Sequence, residues 1–287
     1  MVRPGGPRPS CPSPLPSNDE RDRLPPLWHR ALQRGDVLHD LRSSAIEAET
    51  WVVLPTYNER DNISTIVPAI RTALPDALVL IVDDGSPDGT GTIADGLAAT
   101  DPQVRVFHRD VKEGLARAYV AGFDVALVAG ATCVVQMDAD WSHPPAVLPE
   151  LVGRIDGGAD LALGSRYARG GGTEGWPLTR RMVSRGGNLY SQLILWLPYP
   201  DLTGGFRAWR AETLRAVRPA TIDATGYVFM IELVFRAHRL GAQIAQVPFV
   251  FTERRAGASK MSSGIFFEAF RHVLLLRARR RLGRDRR

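Results

Sequence analysis

The chain has 287 residues, 44% of them hydrophobic, and a formal net charge of +5 at pH 7. This length is sufficient for a large domain with a buried core. No apolar run reaches the roughly 18 residues of a membrane-spanning helix, and the first residues lack the order of a signal peptide. The cysteines, Cys11 and Cys133, are too few for a disulfide framework or a thiolate metal cluster. We therefore expect a cytoplasmic protein whose basic charge favours an acidic partner.

Composition divides the chain into three parts. Residues 1–45 are rich in Pro, Gly, Ser and Arg and carry few large apolar side chains, so they cannot offset the entropy lost on ordering. We predict a disordered extension over 1–45 and a folded catalytic domain over 46–262. Residues 263–287 combine apolar side chains at helical spacing with an arginine-dense end, which predicts an amphipathic helix and a basic tail.

Within the predicted domain, short apolar runs alternate with segments of helical spacing. The runs predict strands near residues 51–54, 78–82, 104–107, 133–137 and 160–163, and helices near 63–74, 115–128, 145–155 and 226–239. Asp61 or Asn62 is the expected cap of the first helix. Strands that are apolar almost throughout are typical of a parallel sheet with helices on both faces. We predict an α/β fold of this kind, with ligands at the carboxyl ends of its strands.

Polar and acidic residues follow three of these strands. The first strand runs into residues 55–59, the second into 83–90, and the fourth into Asp138, Ala139 and Asp140. Each motif alone is also common in ordinary turns and helix caps. Carboxylates gathered at one edge repel one another unless a cation compensates, and oxygen ligands suit Mg²⁺ or Mn²⁺ bridging a diphosphate. The coincidence of the three motifs predicts a divalent-cation site.

These stretches resemble the inverting GT-A glycosyltransferases of family 2, and within them the polyprenyl-phosphate mannose synthases, also called dolichol-phosphate mannosyltransferases. The resemblance covers about residues 52–261, and its further motifs lie at 164–167, 184–188, 201–207 and 254–260. It implies the GT-A fold and a nucleotide-sugar site. It also implies transfer of mannose from GDP-mannose to a polyprenyl monophosphate, with inversion and with Mg²⁺ or Mn²⁺ as cofactor.

The resemblance implies roles for residues on the donor side. The guanosine and its ribose would be held by Pro55, Tyr57, Glu59, Val82 and Asp84. Asp138, Ala139 and Asp140 would bracket the diphosphate, with Asp138 and Asp140 as metal ligands and Asp140 as the chief one. Where some relatives have a glutamine ligand, this chain has Ser142, a weaker third ligand that water or the diphosphate could replace.

On the acceptor side, the resemblance implies contacts to a lipid phosphate from Arg166, Arg180 and Ser184. The oxygen of such a phosphate is already ionised near neutral pH, so no general base is required. Arg254 and Lys260 would cover the diphosphate and stabilise its departure. The implied catalytic residues are Asp140, Arg166, Arg180, Ser184 and Lys260.

Structural alternatives exist for Arg180, for Glu232 and for the C-terminal helix, and a further role is implied for Asp201. Arg180 belongs to a basic run that could form a solvated face. Asp201 is the family's candidate for contacting mannose, and the 203–207 turn that follows it would shape the floor of the sugar pocket. Glu232 could point into the site or serve as a paired structural carboxylate. The C-terminal helix could contact the cytosolic face of a membrane or pack on the protein's own core.

Alternative functions stay open at this point. A polyprenyl-phosphate glucosyltransferase using UDP-glucose shares the fold and the metal motif, and a noncatalytic module would bind only nucleotide or lipid. The resemblance also allows recruitment by a separate membrane protein. A dinucleotide oxidoreductase is disfavoured because the glycine spacing fails, and no phosphate-loop motif occurs. Nucleic-acid binding is not expected, since the basic residues lie beside aliphatic side chains without interleaved aromatics.

Overall fold

The computed structural model describes residues 48–253 and 270–278, and the structural statements below concern these residues. The predicted extension over 1–45 and parts of the predicted C-terminal segment lie outside this range, so the division into three segments stays a prediction. Within the range, no helix is both long enough and apolar enough to cross a bilayer.

Strands and helices alternate along most of the described chain. The strands are β1 (Thr50–Thr56), β2 (Leu78–Asp83), β3 (Val104–His108), β4 (Cys133–Gln136), β5 (Leu161–Ser165), β6 (Gly172–Thr173), β7 (Arg207–Arg210), β8 (Ile244–Pro248) and β9 (Val250–Phe251). The α-helices are α1 (Arg60–Ala73), α2 (Thr90–Thr100), α3 (Leu115–Val128), α4 (Leu148–Asp156), α5 (Leu178–Leu195), α6 (Ala211–Val217) and α7 (Gly226–Arg239), with 3-10 turns at Pro145–Val147 and Pro219–Thr221. Residues 270–278 are helical and are called α8.

The larger sheet has seven strands in the order β3-β2-β1-β4-β7-β5-β8. Strands β3, β2, β1 and β4 are parallel, as are β5 and β8, whereas β7 runs antiparallel between β4 and β5. Strands β6 and β9 form a separate parallel pair. The predicted mainly parallel sheet is therefore confirmed. The chain builds outward from β1 to β3 and then returns to β4 on the other side of β1, which creates a crevice between the loops that follow β1 and β4.

Helices cover both faces of this sheet because successive strand residues point to opposite faces. In β1, Val52 and Leu54 belong to the same core cluster as Ile63 of α1. Val53 lies between them and faces Gly122 of α3 on the other side of the sheet. All of these positions are buried, which explains why the strand is apolar throughout.

Several local predictions were wrong or incomplete. The first helix begins at Arg60 with Glu59 as its N-cap, so neither Asp61 nor Asn62 caps it. The main-chain N–H of Glu59 donates to the hydroxyl of Thr90 (3.0 Å), which fixes where the chain enters the helix. Sequence reasoning also did not predict α2, α5, α6 or the strands after β5. Cys133 of β4 is a buried free thiol.

A substitution of Gly122 tests how closely α3 packs on the sheet. A Cβ atom at Gly122 would lie 2.3 Å from Cγ1 of Val53 and 3.0 Å from Cγ2 of Val82. We expect Gly122→Ala to lower the free energy of unfolding by about 1–3 kcal/mol, measured by urea titration, because this core is overpacked by one methyl group. Gly96→Ala in α2 is the matched control, since nothing lies within 4 Å of its Cβ position. It should raise stability by about 0.5–1 kcal/mol, and equal effects at the two glycines would contradict the close packing.

Candidate active site

The carboxyl ends of β2, β1 and β4 lie side by side. In the β1–β2 register, Thr56 pairs with Asp83, and in the β1–β4 register, Val53 pairs with Gln136. The residues that follow Gln136 therefore lie beside the end of β1. The three polar segments noted in the sequence adjoin at one edge of the sheet.

The loops after β1 and β2 are joined by side-chain hydrogen bonds. The carboxylate of Asp83 accepts hydrogen bonds from the hydroxyls of Thr56 (3.1 Å) and Ser86 (2.6 Å). Asp88 accepts from both the main-chain N–H and the hydroxyl of Thr90. Asp83 and Asp88 thus stabilise the loops themselves, although they belong to the same acidic motif as Asp84.

Asp84 connects the end of β2 to the loop between β3 and α3. It is buried, forms an ion pair with Arg109, and accepts a hydrogen bond from the main-chain N–H of Gly114 (3.0 Å). Lys112 of the same loop places its ammonium nitrogen 3.3 Å from the centre of the Tyr57 ring, a cation–π contact. Two residues predicted to hold the nucleoside, Tyr57 and Asp84, are therefore brought together at this loop. Sequence reasoning missed Arg109 and Lys112.

The other residues predicted for the nucleoside are placed differently. Pro55 is buried within β1. Val82 has no exposed surface and packs towards Gly122, so its side chain offers no surface to a nucleoside. The carboxylate of Glu59 accepts a hydrogen bond from the amide of Asn62 (2.7 Å), which orients it at the start of α1.

The turn after β4 contains the predicted metal ligands. Asp138 is half-buried, and its Oδ1 accepts a hydrogen bond from the phenol of Tyr119 (2.5 Å). Ala139 is buried, and Asp140 is 4% exposed, with its Oδ1 accepting the main-chain N–H of Ser142 (3.0 Å). The hydroxyl of Ser142 is buried beside this turn without a hydrogen-bond partner among the described residues.

The turn after β4 offers two carboxylates and a hydroxyl as possible ligands of a metal ion. In the described part of the chain, no group of three or more His, Cys, Asp or Glu side chains is arranged to hold a metal. A cage made only of protein ligands is therefore absent from that part. Mg²⁺ is commonly bound by one or two carboxylates together with substrate phosphates, and the pair Asp138 and Asp140 fits that pattern. The unpartnered hydroxyl of Ser142 is a further oxygen beside them.

Arg166 and Asp201 form a buried ion pair near this turn. The guanidinium donates to both carboxylate oxygens, at 2.6 and 2.7 Å, and the main-chain N–H of Arg166 donates to the same carboxylate at 2.9 Å. Burial opposes ionisation, but the charge and hydrogen bonds of Arg166 hold the pKa of Asp201 below its ordinary value. Both oxygens of Asp201 are therefore engaged by Arg166, and Arg166 also donates to the hydroxyl of Thr203 (2.8 Å).

A cavity of about 410 Å³ lies beside this ion pair. Its lining includes Arg166, Tyr167, Arg185 and Gln192. Ser184 lies next to the lining, because its hydroxyl accepts a hydrogen bond from the phenol of Tyr167 (2.7 Å). Two of the residues predicted for an acceptor phosphate, Arg166 and Ser184, are thus brought together.

Arg180, the third predicted acceptor contact, is not part of that lining. It forms an ion pair with Glu253 (2.7 Å) and lies 4.1 Å from the centre of the Trp176 ring. Arg185 lines the cavity instead; sequence reasoning placed it in the 184–188 motif and in a basic run but predicted no contact for it. Arg254 and Lys260 lie outside the described residues, and their roles stay predictions.

Glu232 is a paired structural carboxylate, the second of the two alternatives considered. It is 3% exposed and accepts hydrogen bonds from Arg236 (2.6 Å) and, through its other oxygen, from the imidazole of His272 (2.9 Å). Burial alone would raise the pKa of Glu232, but the contacts with His272 and Arg236 lower it below its ordinary value. The hydrogen bond between Glu232 and His272 therefore connects α7 to α8.

His143 lies among the charges of both halves of the site. Burial lowers its pKa, and the charges of Asp138, Asp140, Arg166 and Asp201 all act on it. Its ring stacks on Phe206, with centroids 4.8 Å apart. A Cβ atom at Gly205 would lie 3.7 Å from Oδ1 of Asp138, and one at Gly204 would lie 3.5 Å from Oδ1 of Asp201, so the turn after β4 and the buried ion pair adjoin one another. Sequence reasoning missed His143, because a histidine between a turn and two prolines carries no motif.

Comparison with known proteins identifies the family. Residues 51–218 match Glycosyl transferase family 2. The chain is 47% identical over 238 residues to polyprenol monophosphomannose synthase of Mycolicibacterium smegmatis, covering 83% of this chain and 90% of the relative. It is 47% identical over 221 residues to undecaprenyl-phosphate mannosyltransferase of Micrococcus luteus, covering 77% and 90%.

The fold also matches solved structures. Glucosyl-3-phosphoglycerate synthase from Mycobacterium tuberculosis, in complex with phosphoglyceric acid, aligns with a TM-score of 0.58 and 22% identity, covering 84% of this chain and 83% of that chain. At this identity the match concerns the fold alone. The predicted GT-A fold is confirmed, and the chain belongs to glycosyl transferase family 2, a family of enzymes.

The buried ion pair gives a stability test. We expect Asp201→Asn to lower the free energy of unfolding by about 3–5 kcal/mol, because Arg166 would keep an uncompensated buried charge. The ordinary pKa of Asp201 is 3.8 and its folded value is lower, so its contribution is complete above pH 3.8 and is lost as the pH falls through the folded value. The difference between wild type and variant in urea titrations should therefore shrink only in strong acid.

The matched control is an exposed arginine–carboxylate pair. Glu150 and Arg154 are in contact at 2.9 Å, and their side chains are 49% and 50% exposed. Glu150→Gln should change stability by less than about 0.5 kcal/mol. An Asp201→Asn variant as stable as Glu150→Gln would contradict the buried pairing.

Proposed function

We propose that this chain transfers a mannosyl group from GDP-mannose to a polyprenyl monophosphate, with inversion at the anomeric carbon and with Mg²⁺ or Mn²⁺ as cofactor. The names of two relatives, each 47% identical to this chain, describe mannosyl transfer to a polyprenol or undecaprenyl phosphate. The observation that carries the proposal is geometric. A carboxylate turn suited to a cation–diphosphate adjoins the Arg166–Asp201 pair across Gly204 and Gly205, and Arg166 and Arg185 line the neighbouring cavity.

On the donor side, the chain supplies an acidic turn and a nucleoside end. Asp138 and Asp140 would hold the cation, with Ser142 as a further oxygen. When bound, the cation would supply compensation for the charge that develops on the departing diphosphate. Tyr57 and Asp84 lie at the other end of the edge, where they would contact the nucleoside. The edge thereby has room for the two ends of a nucleotide sugar.

On the acceptor side, the chain needs to hold an anion rather than to remove a proton. A phosphate monoester is already ionised near neutral pH, so alignment behind the anomeric carbon is the main requirement. Arginine suits this task because its planar group contacts two phosphate oxygens at once. Arg166 and Arg185 line the cavity, and Ser184 lies at its margin. Arg180 would join them only by leaving its ion pair with Glu253.

A lipid acceptor requires contact with a bilayer, and α5 presents an apolar face for it. Four exposed apolar residues share one face at helical spacing, Leu178, Met182, Leu189 and Leu193, with Trp196 at the end of the helix, whereas the exposed Val183 lies outside this face. Arg185 and Gln192 of the cavity come from the same helix. A lipid phosphate bound there would keep its chain close to the apolar face.

Helix α8 extends this apolar surface. The phenol of Tyr190 donates a hydrogen bond to the main-chain carbonyl of Phe270 (3.1 Å), and the two rings stack 4.1 Å apart. Arg277 lies 5.0 Å from the ring centre of Trp196. Phe270 and Leu274 are exposed. We therefore propose peripheral contact of α5 and α8 with the cytosolic face of an anionic membrane, where apolar side chains insert and arginines meet headgroups.

The proposed activity is tested by supplying GDP-mannose labelled in its sugar, a polyprenyl phosphate and Mg²⁺ to the purified chain. We expect label in the lipid phase, and none with Asp140→Ala, because the turn would lose its chief cation ligand. Asp76→Ala is the matched control, since this exposed aspartate precedes β2 at the opposite edge of the sheet. It should retain full activity.

The same assay separates the alternatives. Transfer from UDP-glucose but not from GDP-mannose would establish the glucosyltransferase. Calorimetric binding of nucleotide without any lipid product, with either donor, would favour the noncatalytic module. Full activity of Asp140→Ala would contradict the role of the turn.

Membrane contact is tested by flotation with vesicles that contain anionic lipid. Leu189→Glu should weaken vesicle binding by about 10-fold, because it removes an inserted apolar side chain and adds a repelled charge. Leu240→Glu is the matched control, since Leu240 is 56% exposed at the end of α7 and Leu189 is 55% exposed on α5. Equal loss for both variants, or none for Leu189→Glu, would contradict the proposed surface. Binding that requires an added membrane protein would instead favour recruitment by a partner.

A further inference from the structure

Tyr119 contacts the turn after β4 from the face of the sheet that α3 covers. It lies on α3, is fully buried, and stacks on Phe123 one turn later, with centroids 5.7 Å apart. Its phenol oxygen lies 2.5 Å from Oδ1 of Asp138. A phenol is protonated at neutral pH, so Tyr119 donates this hydrogen bond and the carboxylate of Asp138 accepts it.

The side chain of His143 holds the main chain of Asp138. The N–H of Asp138 donates to Nδ1 of His143 (3.0 Å). Because Nδ1 accepts, the proton of the neutral ring is on Nε2. The ring is fixed by Phe206 on one face and by the edges of Phe249 and Phe251. Asp138 is thus held from two sides by groups that belong to different parts of the fold.

This arrangement leaves one oxygen of Asp138 available. Oδ1 is engaged by Tyr119, whereas Oδ2 has no hydrogen-bond partner among the described residues. The carboxylate is not enclosed, since Asp138 is only half-buried. Gly205 closes the Oδ1 side, because a Cβ atom there would lie 3.7 Å from Oδ1 and 3.7 Å from Cε1 of His143.

We propose that Tyr119 and His143 are positioning residues that fix Asp138 so that its Oδ2 faces the cation and diphosphate of the nucleotide sugar. The inference rests on the proposed function, and it concerns how the donor is held rather than the chemical step. A hydrogen-bonded partner outside the ligands themselves orients a ligating carboxylate and commonly changes metal affinity by 10–100-fold when removed. Neither residue needs to touch the substrate.

The test measures binding as well as turnover, using Mn²⁺ and GDP as the probe. In calorimetry on the full chain, Tyr119→Phe should weaken Mn²⁺-linked GDP binding by about 10-fold, because it removes only the hydroxyl and keeps the ring packing. The KM for the sugar nucleotide should rise, while the KM for the polyprenyl phosphate stays unchanged. Tyr199→Phe is the matched control, since the phenol oxygen of Tyr199 lies 3.2 Å from Nδ1 of His238 and its hydrogen bond does not involve Asp138. It should bind Mn²⁺ and GDP like the wild type.

His143 is tested by removal and by rescue. His143→Leu should weaken Mn²⁺-linked GDP binding in the same way, whereas His143→Asn should recover part of it, because a carboxamide oxygen can accept the N–H of Asp138. Circular dichroism and the unfolding midpoint of each variant show whether it is folded. A general packing defect would harm His143→Asn at least as much as His143→Leu.

The outcomes separate this inference from the proposed function. Unchanged Mn²⁺–GDP affinity in Tyr119→Phe and His143→Leu would overturn the inference, even if the wild type makes the mannolipid. A wild type that binds neither Mn²⁺ nor GDP would overturn it as well. Weakened binding in the variants, with no mannolipid from the wild type, would support the positioning role and contradict the proposed acceptor.

Discussion

The site requires several carboxylates to lie close together at one edge of the sheet, and their mutual repulsion has to be offset by neighbouring donors and cations. The structure gives different donors to different acids. Asp83 accepts from hydroxyls, Asp84 is paired with Arg109, Asp138 accepts from a phenol, and Asp201 is paired with Arg166. A carboxylate that meets a guanidinium is neutralised, whereas one that meets a phenol keeps its full charge. The edge is therefore balanced at Asp84 and Asp201 and keeps its negative charge at Asp83 and Asp138, and of these two only Asp138 is half-buried and lies in the turn suited to a cation.

Strand β7 explains how residues distant in sequence meet at this edge. Because β7 is antiparallel to β4 and β5, its first residue, Arg207, pairs with Gln136, the last residue of β4, and with Leu163 in the middle of β5. The turn before β7 consequently enters the site from the same side as the loops after β4 and β5. Asp201 can then meet Arg166, and Gly205 can approach Asp138. A parallel strand in this place would carry that turn to the opposite edge.

This topology also defines what the sequence could predict. Apolar runs located the first five strands, and the polar motifs after three of them identified the edge and the carboxylate turn. The orientation of β7 was not readable, because Ala208 and Trp209 suit either direction. Tyr119 resembles a core residue of an apolar helix, and its bond to Asp138 joins residues 19 apart through tertiary packing. Arg109 likewise belongs to no motif, so the pairing that neutralises Asp84 required the coordinates.

The same charge balance separates the roles of the two cavity arginines. Arg166 shares its charge with Asp201, so the pair as a whole attracts a distant anion weakly. Arg185 forms no ion pair among the described residues and lies exposed over the ring of Tyr167, with 5.6 Å from its guanidinium carbon to the ring centre. In bulk water, two opposite unit charges 4 Å apart attract each other by only about 1 kcal/mol, and this attraction strengthens as the dielectric constant of the surroundings falls. Beside the apolar face of α5, an approaching bilayer would displace water from Arg185. The attraction for a lipid phosphate would then grow as the membrane contact forms, which links acceptor capture to the surface that delivers it.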